Sequence, residues 1–398
     1  TRLVSDWSSD VCSSDLAMAK ISVAWANLVH ERTRLLVAIA GIAFAVLMIF
    51  LNLGLMGVLI ATSTKLYEQF NADLFLISSE TLELSISKTF PRDRLYQVAG
   101  IDGVEQVMPL YSDFLMWRNP ETGVSSAIFA FGINPHDPVF LMPEFQGDDA
   151  RHILSQPETV FIDQLSLPEY GPKETGTVTE AARRRVTIGG TYALGAGLLA
   201  NGTLIMGDLD FSRYLEPRPL NLINVGLVKL KSGTSPEGLA KKMRSILPAN
   251  VEVYTKSGII QHDTDYVTKS TNIGFIFNMG VVVSFVVGVI IVYQVLFTDI
   301  RNHLPEYATM KAMGYRSRYL FKIVLQEAIL LAVMGYVPGL IASIGLYRLT
   351  AAAAGGAIVI VMDGVRLIFV LGLTLLMCSL SGLISVRKAV TTDPAEIF

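Results

Sequence analysis

Four long apolar segments constrain this sequence more than any other feature. They cover residues 35–62, 273–298, 324–349 and 366–386. A helix rises 1.5 Å per residue, so about 20 residues cross a hydrocarbon core of about 30 Å. We therefore expect a membrane protein with four transmembrane α-helices. A cleaved signal peptide is the alternative for the first segment, but its apolar run exceeds the roughly 7–15 residues of a signal core.

The composition agrees with a membrane protein of moderate size. Hydrophobic residues make up 51% of the chain and charged residues only 17%, against about 25% charged in soluble domains. The formal net charge is −3, which gives no indication of a nucleic-acid partner. The two cysteines, Cys12 and Cys378, cannot form a disulfide framework, so an extracytoplasmic domain would depend on packing.

The basic residues orient the chain, because positively charged loops stay in the cytoplasm. The loop at residues 299–323 contains Arg301, Lys311, Arg316, Arg318 and Lys322. Lys20, Arg32 and Arg34 precede the first segment, and Arg387 and Lys388 follow the last. We therefore expect both termini in the cytoplasm, with the tail at residues 387–398. Residues 63–272 and the short loop at 350–365 would then lie outside.

The start of the chain divides into two parts. Residues 1–16 show no helical or strand period, so we interpret them as an artefactual extension, with Met18 as a candidate start. Residues 17–34 alternate apolar and polar side chains at helical spacing. They predict an amphipathic helix on the cytoplasmic membrane surface, with Trp25 at the interface.

The large segment at residues 63–272 has the character of an α+β domain. A strand, helix, strand pattern occurs twice, at residues 73–79, 91–99 and 104–117 and again at residues 223–231, 235–247 and 251–256. The two copies predict one split subdomain, with residues 120–219 inserted between its halves. Within the insert, strands are predicted at residues 126–132, 159–163 and 184–188.

No motif for catalysis or cofactor binding is present. Residues 189–197 contain four glycines but lack the lysine of a phosphate loop, so we expect a loop and strand edge there. Asp148 and Asp149 resemble a solvated acidic turn more than a cation site. The five histidines are scattered along the chain: His30, His136, His152, His262 and His303. We expect no enzymatic activity, no metal and no cofactor bound by this chain.

The loop at residues 299–323 is predicted to contain a short helix. Pro305 can open it and Gly314 can close it. Its residues 306–313 offer apolar side chains that suit a protein partner, although an amphipathic helix resting on lipid is the alternative. Glu327, at the head of the third segment, is either a conformational element or a side chain that snorkels to the interface.

The residues of this loop resemble a known family. The run Glu-Tyr-Ala-Thr-Met-Lys-Ala-Met-Gly-Tyr at residues 306–315, followed by Glu327, is similar to the signature of the FtsX and MacB superfamily of ABC transporter permeases. The stretch around Trp25 and the closing Asp-Pro-Ala-Glu-Ile at residues 393–397 are similar as well. More closely, the chain resembles the DevC group. Tyr307 and Ala308 depart from the usual Ile and Gly.

The resemblance implies an ABC ATPase subunit supplied in trans, so that ATP acts only through that partner. The ATPase would dock on Glu306, Tyr307, Met310, Lys311, Met313 and Gly314. It also implies a homodimer in the bacterial inner membrane, with a periplasmic adaptor, an outer-membrane duct and glycolipid or another amphiphile as cargo. An FtsX-like regulator that activates a periplasmic cell-wall hydrolase is the alternative. A membrane enzyme is disfavoured, because no catalytic motif is present.

Overall fold

The computed structural model describes residues 32–195, 201–215, 218–302, 317–353, 360 and 362–391. The chain divides into two units. The helical unit comprises Thr1–Leu55, Ile276–Leu349 and Val361–Phe398, and the sheet unit comprises Met56–Phe275 and Thr350–Ile360.

The first helix, α1, extends from Arg32 to Gln69. Its part Arg32–Val58 has a mean hydropathy of 2.7 and is long enough to cross a membrane. The helix continues past residue 62, where the sequence predicted the end of the apolar segment. The polar turns up to Gln69 persist because one face stays apolar, and Tyr67 on it is buried in the sheet unit.

The sheet unit combines a nine-stranded sheet, a two-stranded sheet and five helices among the described residues. In chain order they are β1 (Leu74–Ser78), β2 (Phe90–Pro91), α2 (Asp93–Ala99), β3 (Val104–Arg118), β4 (Ser125–Ile133), α3 (Asp148–Ser155), β5 (Thr159–Asp163), β6 (Val178–Ala181), β7 (Arg184–Tyr192), β8 (Thr203–Gly207), α4 (Asp208–Tyr214), β9 (Leu222–Ile223), β10 (Val225–Leu230), α5 (Pro236–Ile246), β11 (Val251–Thr255) and α6 (Lys256–Asp265).

The two strand, helix, strand patterns pair with each other. β1, α2 and β3 form one, and β10, α5 and β11 form the other. Their strands interleave in the order β11-β1-β10-β3, and every neighbouring pair is antiparallel. Pro109 of β3 lies in regular register opposite Gly226. α5 begins at Ser235, whose hydroxyl accepts the N–H of Gly238 at 3.4 Å, as an N-cap does.

The insert closes a barrel on the long strand β3. The order β3-β4-β8-β5-β7-β6 returns to β3 through the pairs Trp117↔Ala181 and Arg118↔Glu180. Trp117 fills the interior, where its Nε1 donates to the Tyr170 carbonyl at 3.1 Å. The Tyr170 hydroxyl donates in turn to Ala127 O at 2.7 Å. β3 thus belongs both to the group of strands β11-β1-β10-β3 and to the barrel.

A second core, rich in aromatic residues, covers the other face of the sheet. Phe70, Phe75, Phe131 and Phe140 are fully buried in it. The ring centroids of Phe70 and Phe140 are 5.3 Å apart, within the range of favourable aromatic pairs. This cluster holds the end of α1 against the sheet.

The structure differs from two local expectations, and it contains one strand that was not predicted. Gly189 and Gly190 belong to β7 rather than to a loop, and a side chain at Gly190 would overlap the Phe161 ring. Asp148 and Asp149 open α3, where carboxylates favour the helix N-terminus. β8 was not predicted, because its five buried residues follow a glycine-rich stretch and show no alternation.

Three further helices complete the described part of the helical unit: α7 (Asn272–Asn302), α8 (Ser317–Ala353) and α9 (Gly364–Thr391). With α1 they give four helices of sufficient length and apolarity to cross a membrane. Pro338 lies inside α8. Neighbouring glycines at Gly335 and Gly339 contact Ile42 and Ala43 of α1, as small residues do where two helices pack closely.

Candidate coupling site

The predicted ATPase-coupling residues fall outside the described part of the chain. Glu306, Tyr307, Met310, Lys311, Met313 and Gly314 all lie between the end of α7 at Asn302 and the start of α8 at Ser317. Their role stays a prediction. The structure describes the two helices that flank them, and hence the contacts through which a movement of the loop would act.

Charged side chains of α1, α7 and α8 are buried in the helical unit or form ion pairs there. Arg34 of α1 and Asp299 of α7 form an ion pair, with Nη1 and Oδ1 4.0 Å apart. Asp299 is only 7% exposed, and Glu327 of α8 is fully buried. A fully buried carboxylate differs from a side chain that snorkels to the membrane surface. The conformational role of Glu327 stays a prediction.

Serine hydroxyls join α9 to α7. The Ser381 hydroxyl donates to the Val289 carbonyl at 2.8 Å, and the Ser385 hydroxyl donates to the Tyr293 carbonyl at 3.4 Å. Between these serines, a Cβ atom at Gly382 would lie 3.3 Å from the Ala328 Cβ of α8. α7, α8 and α9 therefore meet one residue after Glu327.

Glycines bring α1 and α8 into close contact. A Cβ atom at Gly339 would lie 2.8 Å from the backbone oxygen of Ala43, and one at Gly335 would lie 2.5 Å from Ile42. Further along, the Tyr347 hydroxyl of α8 donates to the Phe50 carbonyl of α1. Because a backbone atom of α1 forms part of this contact, a side chain at residue 339 would force the two helices apart.

Within the sheet unit, a buried hydrogen bond joins the end of α1 to α6. The Tyr67 hydroxyl donates to Oδ2 of Asp263 at 2.6 Å, and we call this contact the Tyr67–Asp263 joint. The same oxygen accepts the Leu84 N–H at 3.3 Å, and Oδ1 lies 3.1 Å from Nδ1 of His262. Burial raises the pKa of Tyr67 well above its ordinary value, while the hydrogen bond to Asp263 raises the pKa of His262.

Two lysines anchor the same helices to backbone carbonyls. Lys65 of α1 donates to Leu194 O, and Lys256 of α6 donates to Phe70 O at 3.0 Å. Next to Lys65, the buried carboxylate of Asp163 accepts the N–H groups of Leu194 and Gly195 at 3.1 and 2.9 Å. Burial nevertheless raises the pKa of Asp163. The ends of α1 and α6 are thus fixed to the sheet unit by polar contacts.

Residues 278–394 match the family described as "FtsX-like permease C-terminal". The matched region contains most of α7, all of α8 and α9, and the predicted coupling residues between α7 and α8. Within this FtsX-like region lie Asp299, Glu327 and the serines of α9.

Solved structures with similarity to the chain cover just under half of it. The "extracellular domain of noncanonic ABC-type transporter YknZ from Gram-positive bacteria" is 18% identical over 46% of this chain and 99% of that chain, with a TM-score of 0.33. The "periplasmic region of MacB from Actinobacillus actinomycetemcomitans" is 10% identical over 48% of this chain and 92% of that chain, with a TM-score of 0.34. The comparison with curated proteins gives no match.

The sequence indicated the FtsX-like region but missed the Tyr67–Asp263 joint. Tyr67 and Asp263 are 196 residues apart, so no local pattern relates them. One signal was present: Ile259, Asp263 and Val267 follow one another at four-residue spacing and are all buried. A carboxylate in such an apolar series indicates a buried polar partner. The described residues contain no cluster of three or more potential metal ligands.

Proposed function

We propose that this chain is the permease and force-transducing subunit of an ABC exporter, driven by a separate ATPase subunit. The match of residues 278–394 to the FtsX-like permease C-terminal family carries this proposal. That region contains the flanking helices and the loop on which an ATPase would dock. The four membrane-capable helices support a multi-pass protein of the inner membrane.

The contacts of the flanking helices support a route for mechanical transmission. The ATPase pushes on residues 306–313, and α7 and α8 move with them. The Arg34–Asp299 ion pair and the close contact of Gly339 with α1 pass this displacement to α1. α1 is one uninterrupted helix from Arg32 to Gln69, and its end is fixed to α6 by the Tyr67–Asp263 joint. The sheet unit then follows the displacement.

We further propose a DevC-like setting for this subunit. Both termini lie in the cytoplasm, the sheet unit lies in the periplasm, and two copies of the chain match two ATPase subunits. A periplasmic adaptor and an outer-membrane duct complete the exporter, whose cargo is glycolipid or another amphiphile. The basic residues on the two sides of the apolar segments support this orientation.

The docking assignment is tested by co-purification of the ATPase with variants of Met310 and Met313. Two aspartates, Met310→Asp with Met313→Asp, place charge where the proposal requires apolar contact. They should abolish ATPase recovery while membrane insertion is retained. The matched control Met310→Leu with Met313→Leu keeps an apolar surface and should retain the ATPase.

The proteins recovered with the parent chain decide between functions. An ATPase together with a periplasmic adaptor supports the exporter. An ATPase with a peptidoglycan hydrolase and without an adaptor would replace it by the regulatory function. Full recovery of the ATPase with the aspartate variant would refute docking on residues 306–313.

A further inference from the structure

The outer face of the barrel carries exposed apolar side chains that mechanical coupling does not use. Phe114 and Met116 of β3 are 38% and 51% exposed, and they alternate with the buried Leu115 and Trp117. Met116 lies opposite the exposed Ala127 of β4. A strand that faces solvent on one side normally alternates apolar with polar residues. β3 is apolar on both sides here, which is typical of a surface that binds a partner.

An unusual hairpin borders these apolar side chains. β6 and β7 pair at Ala181↔Arg184, so the loop between them consists of Ala182 and Arg183. Both residues have positive φ, 48° and 64°, as a type I′ turn requires. Asn and Gly adopt such angles most readily. The Ala182 N–H donates to Met116 O at 2.7 Å, which places the strained turn directly beside the apolar face.

The hairpin presents three consecutive arginines to solvent. Arg183, Arg184 and Arg185 are all exposed, and none of them forms an ion pair with another residue in the described part of the chain. The backbone of Arg185 is held in place by the buried Tyr214, whose hydroxyl donates to Arg185 O. Folding alone would favour Asn or Gly at position 183. The presence of an arginine in this strained conformation points to a function for its side chain.

We propose that Phe114, Met116 and the three arginines form a docking surface for an acidic, partly apolar segment of an extracytoplasmic protein. We call these five residues the hairpin face. Its charge selects carboxylates, and its exposed aromatic and methionine side chains supply the apolar contact area that interface centres use. The inference goes beyond ATPase coupling and rests on the proposed function only in placing the sheet unit outside the cytoplasm.

The arrangement fits a protein better than a membrane surface. Lipid-binding segments bury their apolar side chains in the bilayer and keep their cations at the headgroups. Here the order is reversed, since Arg183 lies in the turn, Arg184 and Arg185 follow it at the start of β7, and the apolar side chains lie on β3 behind them. This order favours a protein ligand.

Peptide binding to the full chain tests the proposal. The purified chain is placed in nanodiscs of zwitterionic lipid, without an ATPase, and titrated with a fluorescent peptide of alternating Glu and Leu. A peptide of alternating Lys and Leu is the control ligand. The net charge of the chain is −3, so binding of the acidic peptide requires a local basic surface. We expect the acidic peptide to bind and the basic one not to bind.

Two variants remove separate parts of the hairpin face. Reversing three charges with Arg183→Glu, Arg184→Glu and Arg185→Glu should weaken acidic-peptide binding at least about tenfold. Met116→Asp should weaken it by a similar factor at unchanged arginine content. The matched control Lys241→Glu with Lys242→Glu reverses two exposed charges on α5 and should leave binding unchanged. If the triple variant fails to fold, Arg183→Glu alone is expected to weaken binding by about threefold.

Four results would overturn the proposal. They are equal binding of both peptides, an equal loss in the Lys241 and Lys242 control, binding of phosphatidylglycerol vesicles in place of the peptide, and a change in assembly mass in the triple variant. The last would identify a second copy of the chain as the occupant. None of these measurements involves an ATPase. Failure of the hairpin-face proposal is therefore distinguishable from failure of the ATPase-coupling proposal.

Discussion

Removal of one hydroxyl from the Tyr67–Asp263 joint measures how firmly α1 is fixed to the sheet unit. Tyr67 and Asp263 are 2% and 1% exposed, and their oxygens are 2.6 Å apart. Tyr67→Phe leaves the ring in place, so the packing against Phe70 and Phe75 at 6.2 and 5.4 Å between centroids is kept. The change therefore removes only the hydrogen bond.

The expected loss of unfolding free energy in Tyr67→Phe follows from the charge of the acceptor, the Asp263 carboxylate. A hydrogen bond to a charged group contributes about 1.5–3 kcal/mol. Asp263 keeps Leu84 N–H and His262 as partners, so we expect the lower end, about 1.5–2 kcal/mol of unfolding free energy. Asp263→Asn retains an acceptor oxygen without the charge. In that background Tyr67→Phe should cost only about 0.5–1 kcal/mol, which gives a coupling free energy of about 1 kcal/mol.

Urea unfolding followed by tryptophan fluorescence provides the assay. Trp117 is fully buried in the barrel, and the other two of the three tryptophans, Trp7 and Trp25, can be changed to Phe. A loss below about 0.3 kcal/mol for Tyr67→Phe, or a coupling free energy indistinguishable from zero, would refute the joint as a stabilising contact.

Two further predictions concern pH and helix packing. The hydrogen bond to Asp263 raises the pKa of His262, so its contribution to stability is complete below pH about 6.5 and is lost as pH rises through the raised pKa. His262→Gln should abolish that dependence in urea unfolding at pH 5.5–8.5, and an unchanged slope would contradict it. Gly339→Ala forces a methyl group against Ala43 O and should destabilise the detergent-solubilised chain by about 1–3 kcal/mol. Gly345→Ala is the control, because a Cβ atom there meets no atom of the described residues within 4 Å outside the backbone of its own helix. Equal thermal midpoints would exclude a tight α1–α8 contact.

The sequence predicted those elements whose local pattern is strong. Long apolar runs with few charges identified the helices that can cross a membrane, because a helix satisfies its backbone hydrogen bonds within its own segment. The repeated strand, helix, strand pattern identified β3, β10 and the helix α5. β5 was predicted with its observed bounds, residues 159–163.

Other features depend on partners far away in the chain and left little or no local signal. The barrel closes because residue 117 pairs with residue 181, which no periodicity encodes. β7 continues through Gly189 and Gly190, although glycines usually indicate a loop. These two positions are glycines because Thr159 and Phe161 of β5 occupy the space that side chains there would need. For the candidate site, the sequence proposed the loop residues and Glu327, while the Tyr67–Asp263 joint required knowledge of which helices meet.

The position of β1 in the sheet has a consequence for biosynthesis. All five residues of β1 are buried, and its two neighbours are β10 and β11. Both neighbours are synthesised much later, since β11 ends at Thr255. At roughly 5–20 residues per second, about 180 further residues take about 10–35 s to emerge. For that interval an apolar strand has two open edges, which is the state most prone to aggregation. Successful folding of this chain therefore depends on protection of residues 74–78 until β11 has been synthesised.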